Sequence, residues 1–146
     1  MIITATVLVL ASASGSLAAP LEGAAVEAAA TVDAFHAALH RGDTAGAAKL
    51  IADEALIFES GGVEHGKAEY AAHHLAADAV FSRAVESRVL RRSGGVAGDL
   101  AWVASEARTT GTYKGKAIDS ATTETMLLRR TAEGWRIVHV HWSSGR

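Results

Sequence analysis

The sequence contains no cysteine, which excludes disulfides, thiolate metal sites, iron–sulfur clusters and cysteine nucleophiles. It also lacks a large excess of charge of either sign. There are 14 Lys and Arg residues and 16 Asp and Glu residues, which gives a formal net charge of −2. A nucleic-acid-binding surface needs clustered basic residues, so we expect no nucleic-acid partner. Hydrophobic residues make up 49% of the 146 residues, too many for a disordered chain, and this length suits a single domain.

The chain opens with a long stretch that has no charged side chain. Within residues 1–20, an apolar segment from Ile2 to Leu10 runs into small residues that end in Ser16-Leu17-Ala18. This pattern predicts a secretory signal peptide over residues 1–19, too short for a transmembrane helix, and one domain over residues 20–146. The stretch has no Lys or Arg at its start, so a retained apolar N-terminus is the alternative. We expect a secreted or periplasmic protein with no membrane contact once the signal is removed.

Apolar residues at helical spacing indicate three helices. Residues 21–41 and 67–81 are rich in Ala with apolar positions three and four apart, and Asp43 can cap a second, short helix that runs to residue 51. Alternating segments between Gly-containing turns indicate strands. The predicted strands are residues 55–60, 84–92, 100–111, 118–130 and 135–142. This order predicts one α+β domain with helices packed on one face of an antiparallel sheet.

The last predicted strand carries apolar bulk on both of its faces. Its odd-numbered residues include Ile137, and its even-numbered residues include Val138, Val140 and Trp142. An antiparallel sheet with one solvated face carries polar residues on that side. Helices account for one covered face, and we expect a second copy of the chain to cover the other, which predicts a homodimer.

Several charged or ionisable residues share a strand face with one another or with large apolar residues. A charged residue on such a face lies at the margin of the sheet or lines a pocket, and a buried carboxylate there is paired or has a raised pKa. Structural ion pairing of Arg108 with Glu106 or Glu124 is the alternative. The groups are Glu59 beside Phe58, Glu106 and Arg108 with Trp102, Glu124 with Met126 and Leu128, and His139 with His141.

Four segments resemble a known superfamily. They are residues 35–43, Phe58-Glu59, Glu64-His65-Gly66 and the closing residues 134–144. Their order is similar to that of the NTF2-like superfamily, more narrowly the SnoaL-like and DUF4440 proteins and the association domain of calcium/calmodulin-dependent kinase. The resemblance implies a cone in which a curved, mixed and mostly antiparallel sheet wraps around three helices and encloses a pocket at its open end. This fold hosts many unrelated functions, so it does not by itself imply an activity.

The resemblance also implies which residues face the pocket. They are Glu59, Glu106, Arg108, Met126, His139 and His141, with His73 or His74 from the third helix. Under the first hypothesis the protein binds a small organic molecule, and Arg108 pairs with an acidic group of that ligand. The other expected ligand-binding residues are Phe35, His74, Trp102, Glu106, Met126 and Leu128.

Catalysis is left open, and it would use general acid–base chemistry. Glu59 is the candidate base, with His139 or His141 as its proton partner. Steroid isomerases of the superfamily keep a carboxylate base where Glu59 falls, but they have a Tyr donor at the position of Phe35 and a neutral carboxylic acid at the position of Met126. Because one such donor is worth about 2.7–4 kcal/mol in the transition state, we do not expect ketosteroid isomerisation.

Two other functions are alternatives. We expect no cofactor under the first hypothesis. In the second, Glu59, His74, His139 and His141 would hold Zn²⁺ or Cu²⁺ in the same pocket, since both ions accept nitrogen and oxygen ligands. In the third, the domain is a non-catalytic oligomerisation module.

Overall fold

The computed structural model describes residues 21–145, so the predicted signal peptide lies outside the described residues. The elements are helices α1 (Ala24–Arg41), α2 (Thr44–Lys49), α3 (Lys67–His73) and α4 (Leu75–Ala84), and strands β1 (Ile51–Glu59), β2 (Gly62–His65), β3 (Val85–Ala97), β4 (Leu100–Tyr113), β5 (Lys116–Thr131) and β6 (Gly134–Ser144). The six strands form one curved sheet in the order β2-β1-β6-β5-β4-β3. The β1–β6 pair is parallel and the other pairs are antiparallel, so the predicted α+β fold with a mixed sheet is confirmed.

The helices form where the sequence predicts them, with two differences. α1 buries one face made mostly of Ala and ends at Gly42, whose φ of 75° is the left-handed conformation that glycine adopts easily. Asp43 caps α2 by accepting a hydrogen bond of 2.8 Å from the backbone N–H of Gly46. α2 ends before Ile51, which instead begins β1 in the core, and the predicted third helix divides at His74 into α3 and α4. No helix within residues 21–145 has the length and apolar character needed to cross a membrane.

The two faces of the sheet differ, and we call them concave and convex. The concave face packs against the helices and buries the apolar residues Ile57, Val103, Met126, Leu128, Ile137 and Val140. The convex face has no helix on it among the described residues, and Leu56, Leu100, Trp102 and Leu127 stand 38–46% exposed there. The core therefore lies between the concave face and α1.

A β-bulge in β6 overturns the expected alternation of its side chains. Ile137 pairs with Leu128 of β5, and His139 pairs with Leu127, so two steps along β6 match one step along β5. The extra residue, Val138, exchanges the two faces of the strand. After the bulge Val140 and Trp142 lie on the concave face, so His139 and His141 lie on the convex face and not in the predicted pocket.

Strand β2 is a further element that the sequence did not predict. Its pattern predicted only a turn at Gly61-Gly62, but the chain reverses through Ser60 and Gly61, both at positive φ, and Gly62–His65 pairs with the end of β1. Glu64 pairs with Ile57, which places its side chain on the concave face beneath α3. The short edge strand β2 therefore places the buried carboxylate of Glu64 next to α3.

Candidate functional site

A row of polar and aromatic residues crosses the concave face where its apolar part ends. Strand register aligns Glu59 of β1 with Trp142 of β6, Trp142 with Glu124 of β5, Glu124 with Ser105 of β4, and Ser105 with Arg92 of β3. We call these five residues the polar row. The neighbouring row on the apolar side contains Ile57 and Met126, so the concave face changes from apolar to polar within one pair of residues along each strand.

Glu124 is the best-anchored carboxylate of the polar row. Its side chain is 10% exposed, and its Oε2 lies 2.7 Å from His36 Nε2 and accepts a 2.7 Å hydrogen bond from Trp142 Nε1. Burial raises the pKa of Glu124, but the contacts with His36 and Trp142 and the charge of Arg92 outweigh it, so the pKa lies below its ordinary value. Glu124 is therefore an ionised acceptor held in place from two sides.

Glu59 lies at the β1 end of the polar row, and its pKa is shifted in the opposite direction to that of Glu124. Partial burial and the nearby Asp78 raise the pKa of Glu59, and His74 opposes them less strongly. Burial likewise raises the pKa of Asp78, against a 2.7 Å hydrogen bond that its Oδ2 accepts from Tyr70 Oη. Tyr70 is 1% exposed, and burial beside Asp78 and Glu59 raises its pKa, so it stays a neutral donor. Glu59 and Asp78 therefore retain their protons to a higher pH than isolated carboxyl groups do.

Trp142 separates the two carboxylate centres. Its ring stacks on Phe35 at a centroid distance of 6.3 Å and meets Tyr70 at 6.4 Å, and its Nε1 is fixed by Glu124. Neighbouring strands lie about 4.8 Å apart, which puts the backbones of Glu59 and Glu124 about 10 Å from each other across β6. A partly exposed indole between two carboxylates can support one small molecule.

The expected ligand-binding residues fall into three groups. His74 and Glu59 lie near each other at the polar row, as expected. Phe35, Met126 and Leu128 lie on the predicted face but are 0% exposed. They form the floor of the site and cannot touch a ligand unless the core opens.

The expected placement of the third group is wrong. Trp102, Glu106 and Arg108 share a face as predicted, but that face is the convex one. The small residues of β4, including Ala101 and Ser105, face inward instead, because helix α1 packs closely against this strand. Arg108 Nε donates a 2.5 Å hydrogen bond to Asp119 Oδ1, and this contact raises the Arg108 pKa. A binding role for these residues stays a prediction, now on a different surface.

The predicted metal set does not converge either. His139 Nδ1 lies 3.0 Å from the backbone oxygen of Leu56, and the rings of His139 and His141 lie 4.9 and 6.2 Å from that of Phe58 on the convex face. Glu59 faces the opposite side of the sheet, near His74, so these two residues are separated from His139 and His141 by the sheet itself. The structure brings together a different set, Glu64, Glu69 and His73, whose ligating atoms lie within 4.8 Å of one another.

Sequence analysis missed several residues of the site. Glu124 carried a signal, because it shares a strand face with Met126 and Leu128 and a charge there needs a partner. His36 was visible only as a helix residue, since its pairing with Glu124 joins positions 88 residues apart. Tyr70 and Asp78 come together only because the helix breaks at His74, and the sequence showed no sign of that break.

A cleft of about 260 Å³ lies at the start of β1, away from the polar row. Four cations and two carboxylates line it, and both carboxylates are engaged in ion pairs, Asp53 with Lys67 and Glu54 with Arg129. None of the residues predicted from sequence to form the site lines this cleft, so it is not the site we propose.

Comparison with known proteins identifies the family. Residues 28–145 match the family model of the SnoaL-like domain. The chain belongs to that family. A search of curated proteins finds no match. The predicted membership of the NTF2-like, SnoaL-like proteins is therefore confirmed.

Solved structures are similar over most of this SnoaL-like chain. One from Shewanella frigidimarina, provisionally assigned as a ketosteroid isomerase, is 39% identical with a TM-score of 0.78, covering 83% of this chain and 98% of that one. An NTF2-like protein from Novosphingobium aromaticivorans is 17% identical with a TM-score of 0.67, covering 80% and 79%. A provisionally assigned calcium/calmodulin-dependent protein kinase II association domain from Xanthomonas campestris is 23% identical with a TM-score of 0.70, covering 93% and 98%. The last two likenesses concern the fold alone.

Proposed function

We propose that this SnoaL-like protein binds a small polar organic molecule over Trp142, between Glu59 and Glu124. The observation that carries the proposal is the convergence of carboxyl groups from β1, β5 and α4 around one partly exposed indole. Small-molecule sites combine an apolar surface with a few fixed polar groups that orient the ligand. Here the indole supplies the surface, and the hydrogen bonds of Glu124 to His36 and Trp142 fix one of the polar groups.

The polar row favours a ligand that donates hydrogen bonds. Its free capacity consists of carboxylate oxygens, which accept hydrogen bonds when ionised. Its cation, Arg92, is already engaged, since it donates to Asp33 at 2.7 Å and to Ser105 at 3.0 Å. The acidic ligand expected from sequence depended on Arg108, which lies on the convex face with Asp119. We therefore favour an amine- or hydroxyl-bearing molecule over an acid.

The binding test compares ligands of one skeleton that differ in a single group. We expect amines and alcohols to raise the melting temperature of the purified chain more than the matching carboxylic acids do. Glu59→Gln should weaken the response to the amines, while Glu106→Gln, an exposed carboxylate on the convex face, should leave it unchanged. Equal responses from all three proteins to every hit would contradict the assignment of the site to the polar row.

Proton transfer with Glu59 as the base is a second candidate function. The geometry favours it because Glu59 lies near Asp78, which accepts a hydrogen bond from the Tyr70 hydroxyl, and burial raises the pKa of both carboxyl groups. The provisional assignment of the Shewanella frigidimarina protein makes ketosteroid isomerisation the first reaction to assay. We expect background turnover, because Phe35 and Met126 offer no donor. Turnover that Glu59→Gln abolishes would overturn that expectation and establish Glu59 as the base.

We also propose that the protein is a homodimer and works in the periplasm or outside the cell. The exposed apolar residues of the convex face support a dimer that pairs two such faces, and burying apolar surface drives association of this kind. The location rests on the apolar, uncharged pattern of residues 1–19. Intact-mass measurement of the protein from cell fractions tests it, since removal of the signal would shorten the chain by about 19 residues. A full-length chain confined to the cytoplasm would refute the proposed location.

A further inference from the structure

We infer that Glu64, Glu69 and His73 form a binding site for a divalent transition-metal ion. This site is distinct from the polar row and does not depend on the proposed function. Its three ligating atoms lie within 4.8 Å of one another. The ligands come from two elements that the fold presses together: Glu64 from the concave face of β2, and Glu69 and His73 from α3 above it.

The spacing of the side chains suits a shared ion. Glu69 and His73 are four residues apart on α3 and so project from the same side of the helix. Glu64 Oε2 lies 3.3 Å from His73 Nδ1, which is long for a hydrogen bond, where about 2.9–3.0 Å is usual. Ligand atoms at about 2.0–2.1 Å from a tetrahedral ion stand about 3.3–3.4 Å apart. The observed distance between these two atoms is the one that such an ion requires.

The neighbouring groups orient the carboxylates from outside. His74 Nδ1 contacts the other oxygen of Glu64, Oε1, and holds this carboxylate in place. The backbone N–H of His65 donates a 2.5 Å hydrogen bond to Glu69 Oε2. Such outer contacts fix ligand geometry in metal sites and reduce the cost of ordering the ligands on binding.

Charge and exposure favour a cation that solvent can reach. The side chain of Glu64 is 8% exposed, and its only ion-pair partners among the described residues are His73 and His74. When ionised, the two carboxylates supply two negative charges that a divalent ion would offset, and the imidazole adds a nitrogen ligand. The side chain of His73 is 59% exposed, which gives the ion an entry path and leaves room for a water ligand.

The donor set points to zinc-like ions and away from Mg²⁺. Imidazole nitrogen suits Zn²⁺ and Cu²⁺, whereas Mg²⁺ prefers oxygen ligands in an octahedral arrangement and keeps several waters. Three protein ligands with a fourth, open position are typical of zinc sites that bind a water molecule. We therefore use Zn²⁺ as the probe.

The test titrates Zn²⁺ into the purified chain, produced without an affinity tag, by isothermal calorimetry. We expect about one Zn²⁺ per chain, with no uptake of Mg²⁺ at the same concentrations. His73→Ala and Glu69→Gln should each weaken Zn²⁺ binding at least tenfold. Both side chains lie at the surface or near it, so these variants should fold, whereas replacement of the buried Glu64 threatens the core.

His141→Ala is the matched control, because it removes an exposed histidine from the convex face. We expect unchanged Zn²⁺ binding in this variant and in Glu59→Gln, so failure of the polar-row proposal leaves the metal site standing. No Zn²⁺ uptake by the unmodified chain would overturn the inference. Wild-type affinity in His73→Ala, or its loss in His141→Ala, would do so as well.

Discussion

The two faces of the sheet carry side chains of similar size but put them to different uses. On β5, Met126 points to the concave face and is 0% exposed, while its neighbour Leu127 points to the convex face and is 39% exposed. The same contrast holds on β4 between Val103 and Trp102. Because the described helices cover the concave face and not the convex face, an apolar residue contributes to folding on the first and is available for association on the second. Hydrophobicity alone does not reveal which role a strand residue has.

The largest test of this contrast is a pair of alanine substitutions at adjacent positions. Met126→Ala should lower the free energy of unfolding by about 2–5 kcal/mol, because it removes a fully buried side chain and leaves a cavity. Leu127→Ala should cost under about 1 kcal/mol in the monomer, since much of that side chain already meets water. Urea denaturation at low protein concentration measures both values. Equal losses would mean that the convex face is packed as tightly as the concave face.

The sequence predicted the elements better than it predicted their faces. Alternation correctly placed Glu124 with Met126 and Leu128, and it correctly kept Trp102 with Arg108. The pattern could not show which of the two faces of β4 meets the helices. The resemblance implied the face of Glu106 and Arg108, but a close helix needs small residues such as Ala101 beneath it.

The bulge at Val138 is the second reason why the predicted site differs from the observed one. A single extra residue in β6 moves every later side chain to the opposite face of the sheet. Nothing in the sequence marks this bulge, because valine is an ordinary strand residue. His139 and His141 therefore lie outside the predicted pocket, and Trp142 lies in the polar row. The partners of Glu124 and Asp78 depend on contacts between distant parts of the chain, which local patterns do not encode.

The next test makes the convex face charged. If two convex faces form the proposed dimer, Trp102→Glu should weaken dimerisation at least tenfold, equivalent to about 1.4 kcal/mol, because a charge would be buried without a partner. Light scattering over a range of concentrations measures the change in mass. Val80→Glu is the control, because Val80 is 55% exposed on α4, outside the sheet. A monomeric unmodified chain, or a dimer that Val80→Glu disrupts instead, would remove the convex face as the interface.

The smallest expected effect concerns pH, and it separates Glu124 from Glu59 and the neighbouring Asp78. The folded-state pKa of Glu124 lies below its ordinary value of 4.5, so its ionised form stabilises the fold above that pH, and the contribution is lost as the pH falls below it. Glu59 and Asp78 have folded-state pKa values above their ordinary ones. Their contribution is therefore present at low pH and declines as the pH rises from the ordinary values through the raised ones.

Each of these two pH dependences of the unfolding free energy should be removable by a single substitution. In plots of unfolding free energy against pH, Glu124→Gln should flatten the loss of stability below pH 4.5, and Asp78→Asn should flatten the decline above its ordinary value of 3.8. Glu106→Gln, on the solvated convex face, should change neither slope. Burial and hydrogen-bond partners, and not residue type, then set the proton affinities of Glu124 and Asp78. If Glu106→Gln changed the profile as much as Glu124→Gln does, the electrostatic distinction between the two faces would be wrong.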